Sequence, residues 1–491
     1  MRSRREQEID HLYRRAGFGA SQAEIDNITT LSFASFSGAL ARLLNYSEIP
    51  DDVDSHVGRP GYIGVTGRSG SGFQPATNIL DARQRWLFRM VHSQRPLQEK
   101  MALFWHNHFA TAYTKVVDGI GDSSIATRMF SAKVEDDGSR TKGQLELFRE
   151  YALGNFRDLL VQVAKDPAML VWLDGRTNIR TRPQENFARE LMELFTMGVG
   201  NFEETDVYAG ARVFTGWNLT LANRNTAQAR YDFFYNAAQH DTTAKEFSFP
   251  IYRDGARVIP ARSAADGIQD GLDLIEAVAR HPRTGPRLAR KLYAFFVNEV
   301  DAADESLIAA LARIYYASGY EIGAMVRALL LSPQFRDPSN YYKRYSWPVE
   351  FAVRSIKEVG WNGFSVNSAL TPLVNMGQQL FEPPDVNGWE LGPGWFSSGG
   401  MLSRMNFAAT LATNQRFNLR DQARGQVDSP ESLLSFMLDR LTPPEFSQDA
   451  YGALLDYTRS GGTWTGSDTQ LAAKSSGLAH LIVGSGDYQL M

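Results

Sequence analysis

Apolar residues recur along most of this chain with the period of an α-helix. In PLQEKMALFWHNHF, residues 96–109, Leu97, Met101, Phe104, Trp105 and His108 stand at i, i+4, i+7, i+8 and i+11. That is the inward stripe of an amphipathic helix, within a helical stretch over 79–115. The same period predicts helices within 6–48, where Leu40, Leu43 and Leu44 share a face, and over 144–165, where Asp166-Pro167 ends the run. A further helix runs from about Gln184 to Met197 and stops at Gly198, and another spans 204–217 from an acidic first turn. From Asn218 to Pro260 the period is lost. Phe233, Phe234, Tyr235, Phe247, Phe249, Ile251 and Tyr252 sit there among Asn, Asp and Gly, which predicts short strands or a hairpin. Helices resume over 266–281, 284–299, 304–318, 321–332 and 347–359, and again beyond a Pro/Gly/Trp-rich stretch at 382–396. The Gly/Ser/Pro-rich residues 56–75 form a long loop, of the kind that is either functional or mobile. No repeat of fixed period is present. The expected fold is mainly α: a large multi-helix globule with a small β-hairpin insertion around 218–260.

Composition narrows the chemistry. The chain has 491 residues, 43% hydrophobic and 12% aromatic, enough for a large core and too apolar for disorder. Fifty-one basic and 55 acidic side chains give a net charge of -4, against a nucleic-acid-binding surface. The absence of cysteine excludes disulfides, zinc fingers, iron–sulfur clusters and thiol nucleophiles. The basic N-terminus has no apolar run behind it, and no stretch approaches the roughly 18–20 apolar residues of a membrane span. The expectation is a cytoplasmic protein with no membrane span.

Several blocks in order carry a resemblance: HLYRRAGFG at 11–19, PLQEKMALFWHNHFAT at 96–111, LGNFRDLLVQVAKDPAMLVWLDG at 153–175, QENFARELMELFTMGVGNFEETDVYAGARVFTGW at 184–217, HD at 240–241, RKLYAFFV at 290–297 and MGQQLFEPPDVNGWE at 376–390. Over roughly residues 10–410 the chain resembles the bacterial "domain of unknown function 1800" family. The resemblance implies one family-wide helical unit over 1–410, bearing the Gly-rich loop 56–78 and the β insertion 218–260, with a C-terminal helical extension 411–491 packed on it. It also implies a sulfatase-like exported protein, encoded nearby, as a partner. It implies no reaction and no catalytic residues, so these rest on chemistry.

Three constellations lead. His106-Asn107-His108 lies on a helix, where residues two apart point about 200° from each other, so a given site takes one histidine or the other as ligand. Both can equally be core histidines satisfied by hydrogen bonds. In Glu185-Asn186-x-x-Arg189-Glu190-x-x-Glu193, Asn186, Glu190 and Glu193 border the apolar stripe of Phe187, Leu191, Leu194 and Phe195. Carboxylates one turn apart suit a divalent metal or an acid/base pair. Arg189 is the cation expected to compensate them, within an i, i+4, i+8 ladder of Glu185, Arg189 and Glu193. The alternative is a helix-locking Arg–Glu network. His240, beside Asp241 in the insertion, is a ligand or base if the fold brings it to His106 or Glu190, and a surface turn otherwise.

Other motifs give weaker signals. Asp174 in LDG precedes Arg176, Arg180 and Arg182, a phosphate site or a solvated loop. GRSGSG at 67–72 lacks the Lys-Ser/Thr ending of a P-loop. PPDVNGWELGPGW at 383–395 offers Trp389 and Trp395 beside Asp385 and Asn387, either a ligand pocket or a cap on the core. G-x-S-x-G and H-E-x-x-H are both missing. The readings that remain are three. One is a metal-dependent hydrolase or oxidoreductase using His106, His108, Glu190 and His240. The second is a metal-free carbohydrate-active enzyme in which Glu190 and Glu193 act with Arg189. The third is a non-catalytic scaffold.

Overall fold

A computed structural model describes residues 4–21, 24, 25, 28, 35–67, 72–441 and 446–491. Most of GRSGSG therefore lies outside the described residues. The helices are α1 (Arg4–Ala16), α2 (Phe36–Leu44), α3 (Ile79–His92), α4 (Pro96–His108), α5 (Tyr113–Ile120), α6 (Ser123–Ser131), α7 (Gln144–Glu150), α8 (Phe156–Lys165), α9 (Pro167–Trp172), α10 (Asn186–Glu190), α11 (Glu204–Val213), α12 (Ile268–Arg280), α13 (Thr284–Phe296), α14 (Glu305–Ala317), α15 (Ile322–Leu331), α16 (Pro333–Arg336), α17 (Pro348–Val359), α18 (Asn367–Asn375), α19 (Ser398–Asn414), α20 (Arg416–Ala423), α21 (Pro430–Leu441), α22 (Gln448–Arg459) and α23 (Asp468–Val483). Between α11 and α12, β1 (Trp217–Ala222) pairs antiparallel with β2 (Arg230–Tyr235), and β3 (Lys245–Glu246) with β4 (Val258–Ile259). The fold is thus mainly α with a small β-hairpin insertion.

Local chemistry sets the helix ends. Asn78 caps α3 by accepting from Leu80 N and Asp81 N, and Ser93 closes it before Pro96 starts α4 at a position that needs no donor. The helical stretch expected at 79–115 is therefore divided among α3, α4 and the start of α5. Asp166 caps α9 and also accepts from Gln144, and burial raises its carboxyl to about 7.

The core differs from the sequence expectation in one respect. α4 is buried nearly all round, including Gln98, Glu99, Lys100 and both histidines, rather than showing one inward stripe. Its charged positions face partners far along the chain. Arg149 donates to Glu99 (2.8 Å), Glu146 (2.7 Å) and Asp51 (2.8 and 2.9 Å). Lys100 bonds Glu350 on α17, whose two carboxylate oxygens both accept from Arg344 at 2.8 Å. Burial pushes Glu350 up, but Arg344 and Lys100 together hold its carboxyl below the usual carboxylate range. Arg89 on α3 is likewise fully enclosed between Asp54 and Glu146. Charges buried in this way are tolerated because each is paired and hydrogen-bonded. One apolar cluster runs from Ile9 through Tyr488, and α23 packs on α19 and α20.

Candidate functional site

The two histidines of α4 point to different neighbourhoods. His106 lies among Trp86, Phe381 and Trp389, with ring centroids at 5.4, 5.7 and 5.3 Å. Its Nε2 accepts from Phe381 N (3.2 Å), and burial lowers its pKa to about 3. It is a neutral ring embedded in an aromatic box. His108 donates from Nε2 to the Phe195 carbonyl (3.0 Å), so its Nδ1 accepts from Lys291 Nζ (3.0 Å). Burial, Lys291 and Arg287 hold its pKa well below the ordinary value. Lys291, on α13, is itself lowered to about 7 by burial and by Arg287.

Phe195 belongs to the segment that carries the paired carboxylates. After Glu190, α10 widens into a π-helical turn, Leu191–Thr196. Met197 N donates to the Met192 carbonyl (2.9 Å), and the Thr196 hydroxyl to the Leu191 carbonyl (2.5 Å), both five residues back. A π turn inserts extra chain into the helix and rotates the residues beyond it. The expected ladder accordingly breaks after its first rung. Arg189 pairs with Glu185 (3.4 Å) and in bidentate fashion with Glu204 of α11 (2.7 and 2.9 Å). It makes no direct ion pair with the inner carboxylates; Glu193 instead acts on Arg287, which donates to the Leu194 carbonyl (3.3 Å). Glu190 and Glu193 are both half-buried. Burial, reinforced by the charge of Glu193 and only partly offset by Arg189, raises Glu190 to about 7. A line of titratable groups thus runs Glu190, Glu193, Arg287, Lys291, His108.

His240 joins neither His106 nor Glu190. It is buried within the insertion, with Nδ1 donating to the Thr215 carbonyl (2.9 Å) and Nε2 3.3 Å from Asp270 Oδ2. Asp270 also receives Lys245 and Arg262. Gly267 is required here, since a Cβ would stand 2.1 Å from the His240 ring. Asp241 turns away to Arg212 (2.8 Å). Among the described residues, no three of His, Asp and Glu come together as a metal ion would need.

Two of the weaker motifs lie among the described residues in full. Asp174 adopts a left-handed backbone (φ 60) and accepts from Asn186 (2.8 Å), while Arg180 and Arg182 are exposed. Trp389 and Trp395 are buried, and Asn107 holds the 383–395 segment against α4 by accepting from Trp389 N (2.6 Å). Gly388 passes so close to Asn107 that a Cβ would lie 2.3 Å from its Oδ1.

Sequence reasoning missed two groups. Arg287 and Lys291 on α13 were not singled out, because nothing local marks the half-buried rows that meet the π turn. A cavity lined by His56, Tyr62, His92 and Trp361 draws on three separate segments. Its one legible signal was the length of the loop that begins at His56.

A family model described as "Protein of unknown function (DUF1800)" matches residues 11–490. The match runs past residue 410, where the resemblance in the sequence ended, through the C-terminal helices. No curated protein and no solved structure matches the chain.

Proposed function

We propose, for a chain that belongs to the DUF1800 family of proteins of unknown function, a metal-free acid–base enzyme, a hydrolase of the carbohydrate-active type. Glu190 is the proton donor and Glu193 the partner carboxylate. The observation that carries this reading is the Glu190 carboxyl, raised to about 7 by burial and by the charge of Glu193. A carboxyl raised towards neutrality beside a second carboxyl is the kind of pair that glycoside hydrolysis uses. Arg287 supplies positive charge beside Glu193, and next to it stands Lys291, backed by His108. Arg189, engaged by Glu204 and Glu185, is a positioning residue that fixes the start of the helix.

A metal-dependent hydrolase or oxidoreductase would need His106 or His108 to share an ion with Glu190 and His240, and their separate partners favour the metal-free reading. The scaffold reading, including a sulfatase-like partner, draws on the same fact, since most of the buried polar groups pair off in separate networks.

A panel of methylumbelliferyl glycosides, assayed between about pH 5.5 and 8 with the wild type, Glu190→Gln and Glu193→Gln, separates the two. The acid–base reading predicts turnover of at least one glycoside, with a loss of about 10²–10⁴-fold in both variants. Turnover indifferent to both substitutions, or none from a folded wild type, favours the scaffold.

A further inference from the structure

The cavity beside residues 50–62 lies apart from the acid–base line and shares none of its side chains. It encloses 160 Å³, between the segment carrying His56 and Tyr62, the end of α3 at His92, and Trp361 just after α17. Pockets for drug-sized ligands run to about 300–1,000 Å³, so this one suits a molecule of few heavy atoms.

Its walls are aromatic. The His56 and Tyr62 rings stack at 4.6 Å with planes 4° apart, Tyr62 meets His92 at 4.9 Å, and His92 meets Trp361 edge-on at 4.9 Å. Trp361 donates to the Gly61 carbonyl (3.1 Å), which ties the loop to the far wall. Glycines 58 and 61 both hold positive φ (77 and 87), which lets the chain turn tightly between His56 and Tyr62.

Its charge is one-sided. Apart from the histidines, the acidic and basic side chains lining it among the described residues are Glu24, Asp51 and Asp52, with no lysine or arginine. Glu24 is engaged by Lys357 (3.0 Å) and by Ser21 N (2.7 Å), and Asp51 by Arg149. Asp52 is different: its side chain is 60% exposed and lies 3.7 Å from His56 Nε2. His92 Nε2 accepts from Ile63 N (2.9 Å). The buried Nδ1 of His56 has no partner among the described residues. Aromatic walls with a surplus of carboxylate repel an anion, and a neutral ligand leaves that surplus unused. A cation is drawn both by ring faces and by the acidic side.

We propose that this cavity binds a small organic ammonium ion, its apolar part against the Tyr62 and Trp361 rings and its charge towards Asp52. Choline and putrescine are the probes, titrated calorimetrically into the full-length protein, with 3,3-dimethylbutan-1-ol as the neutral isostere of choline. At least one cation should bind, the isostere should bind at least about tenfold more weakly than choline if choline is that cation, and Asp52→Asn should lower the affinity about fivefold or more with an unchanged melting temperature. No heat from either cation at about 10 mM, equal binding of choline and its isostere, or full affinity in Asp52→Asn overturns the proposal. Any of these leaves the acid–base reading of Glu190 standing, because the cavity shares no residue with it.

Discussion

Glu190 is the residue on which the functional reading turns, and its titration has a stability signature. Its carboxyl sits at about 7 in the folded chain against 4.5 when free. The folded state therefore holds its proton more tightly than the unfolded state, and stability falls as pH rises between about 4.5 and 7. Glu190→Gln removes that penalty. Thermal melts should show the variant above the wild type at pH 8, with the difference vanishing towards pH 4; a variant melting no higher at pH 8 contradicts the assignment. His106 carries the opposite sign. Its pKa drops from 6.5 to about 3 through burial, so the stability it contributes is intact above pH 6.5 and is lost as pH falls towards 3. His106→Ala empties an aromatic box and strands Phe381 N, at a cost of roughly 3 kcal/mol in denaturant unfolding. A cost below about 1 kcal/mol would mean that the box collapses without loss. That two histidines on one helix serve different neighbourhoods was legible from the helical period. Which partners satisfy them was not, because Phe195, Lys291 and Phe381 lie 87 to 275 residues away.

At the scale of elements, the π turn explains why the expected Glu185–Arg189–Glu193 ladder stops halfway. The sequence supports an uninterrupted α-helix over 184–197, and no residue type in LMELFT announces the wider turn. The segment packs against both α12 and α13. The turn ends at Gly198, whose φ is +85 and whose would-be Cβ stands 3.2 Å from Arg287 Nη1. Gly198→Ala should cost about 1–2 kcal/mol, from the left-handed backbone and the displaced guanidinium. An unchanged unfolding midpoint would show that the tight turn is not needed. The broad helical plan and the β insertion were readable from periodicity. The all-round burial of α4 was not, since polarity marks a solvent face only where no distant partner supplies the opposite charge.

The whole molecule is organised around such distant partners. Lys100, Glu350 and Arg344 are each fully enclosed, and their contacts join α4 to α17 across 250 residues. Lys100→Met leaves Glu350 to Arg344 alone and should cost about 3 kcal/mol, the lower end for a broken buried pair. A variant as stable as the wild type would mean that Arg344 suffices. Among the described residues no helix is long and apolar enough to cross a membrane, and the family model reaches from residue 11 to 490, in keeping with a core that runs unbroken from Ile9 to Tyr488. Within this frame a line of titratable groups runs from Glu190 through Glu193, Arg287 and Lys291 to His108, and the functional reading rests on the Glu190 carboxyl being raised to about 7 by burial and by the charge of Glu193 together. The measurement that tests it most directly is a carbon-13 NMR titration of the glutamate carboxyls, with Glu190 assigned by difference from Glu190→Gln. The account predicts a resonance titrating at about 7 in the wild type and moving down towards the ordinary glutamate range in Glu193→Gln. A Glu190 that titrates in the ordinary range from the outset, or that does not respond to the loss of Glu193, contradicts it.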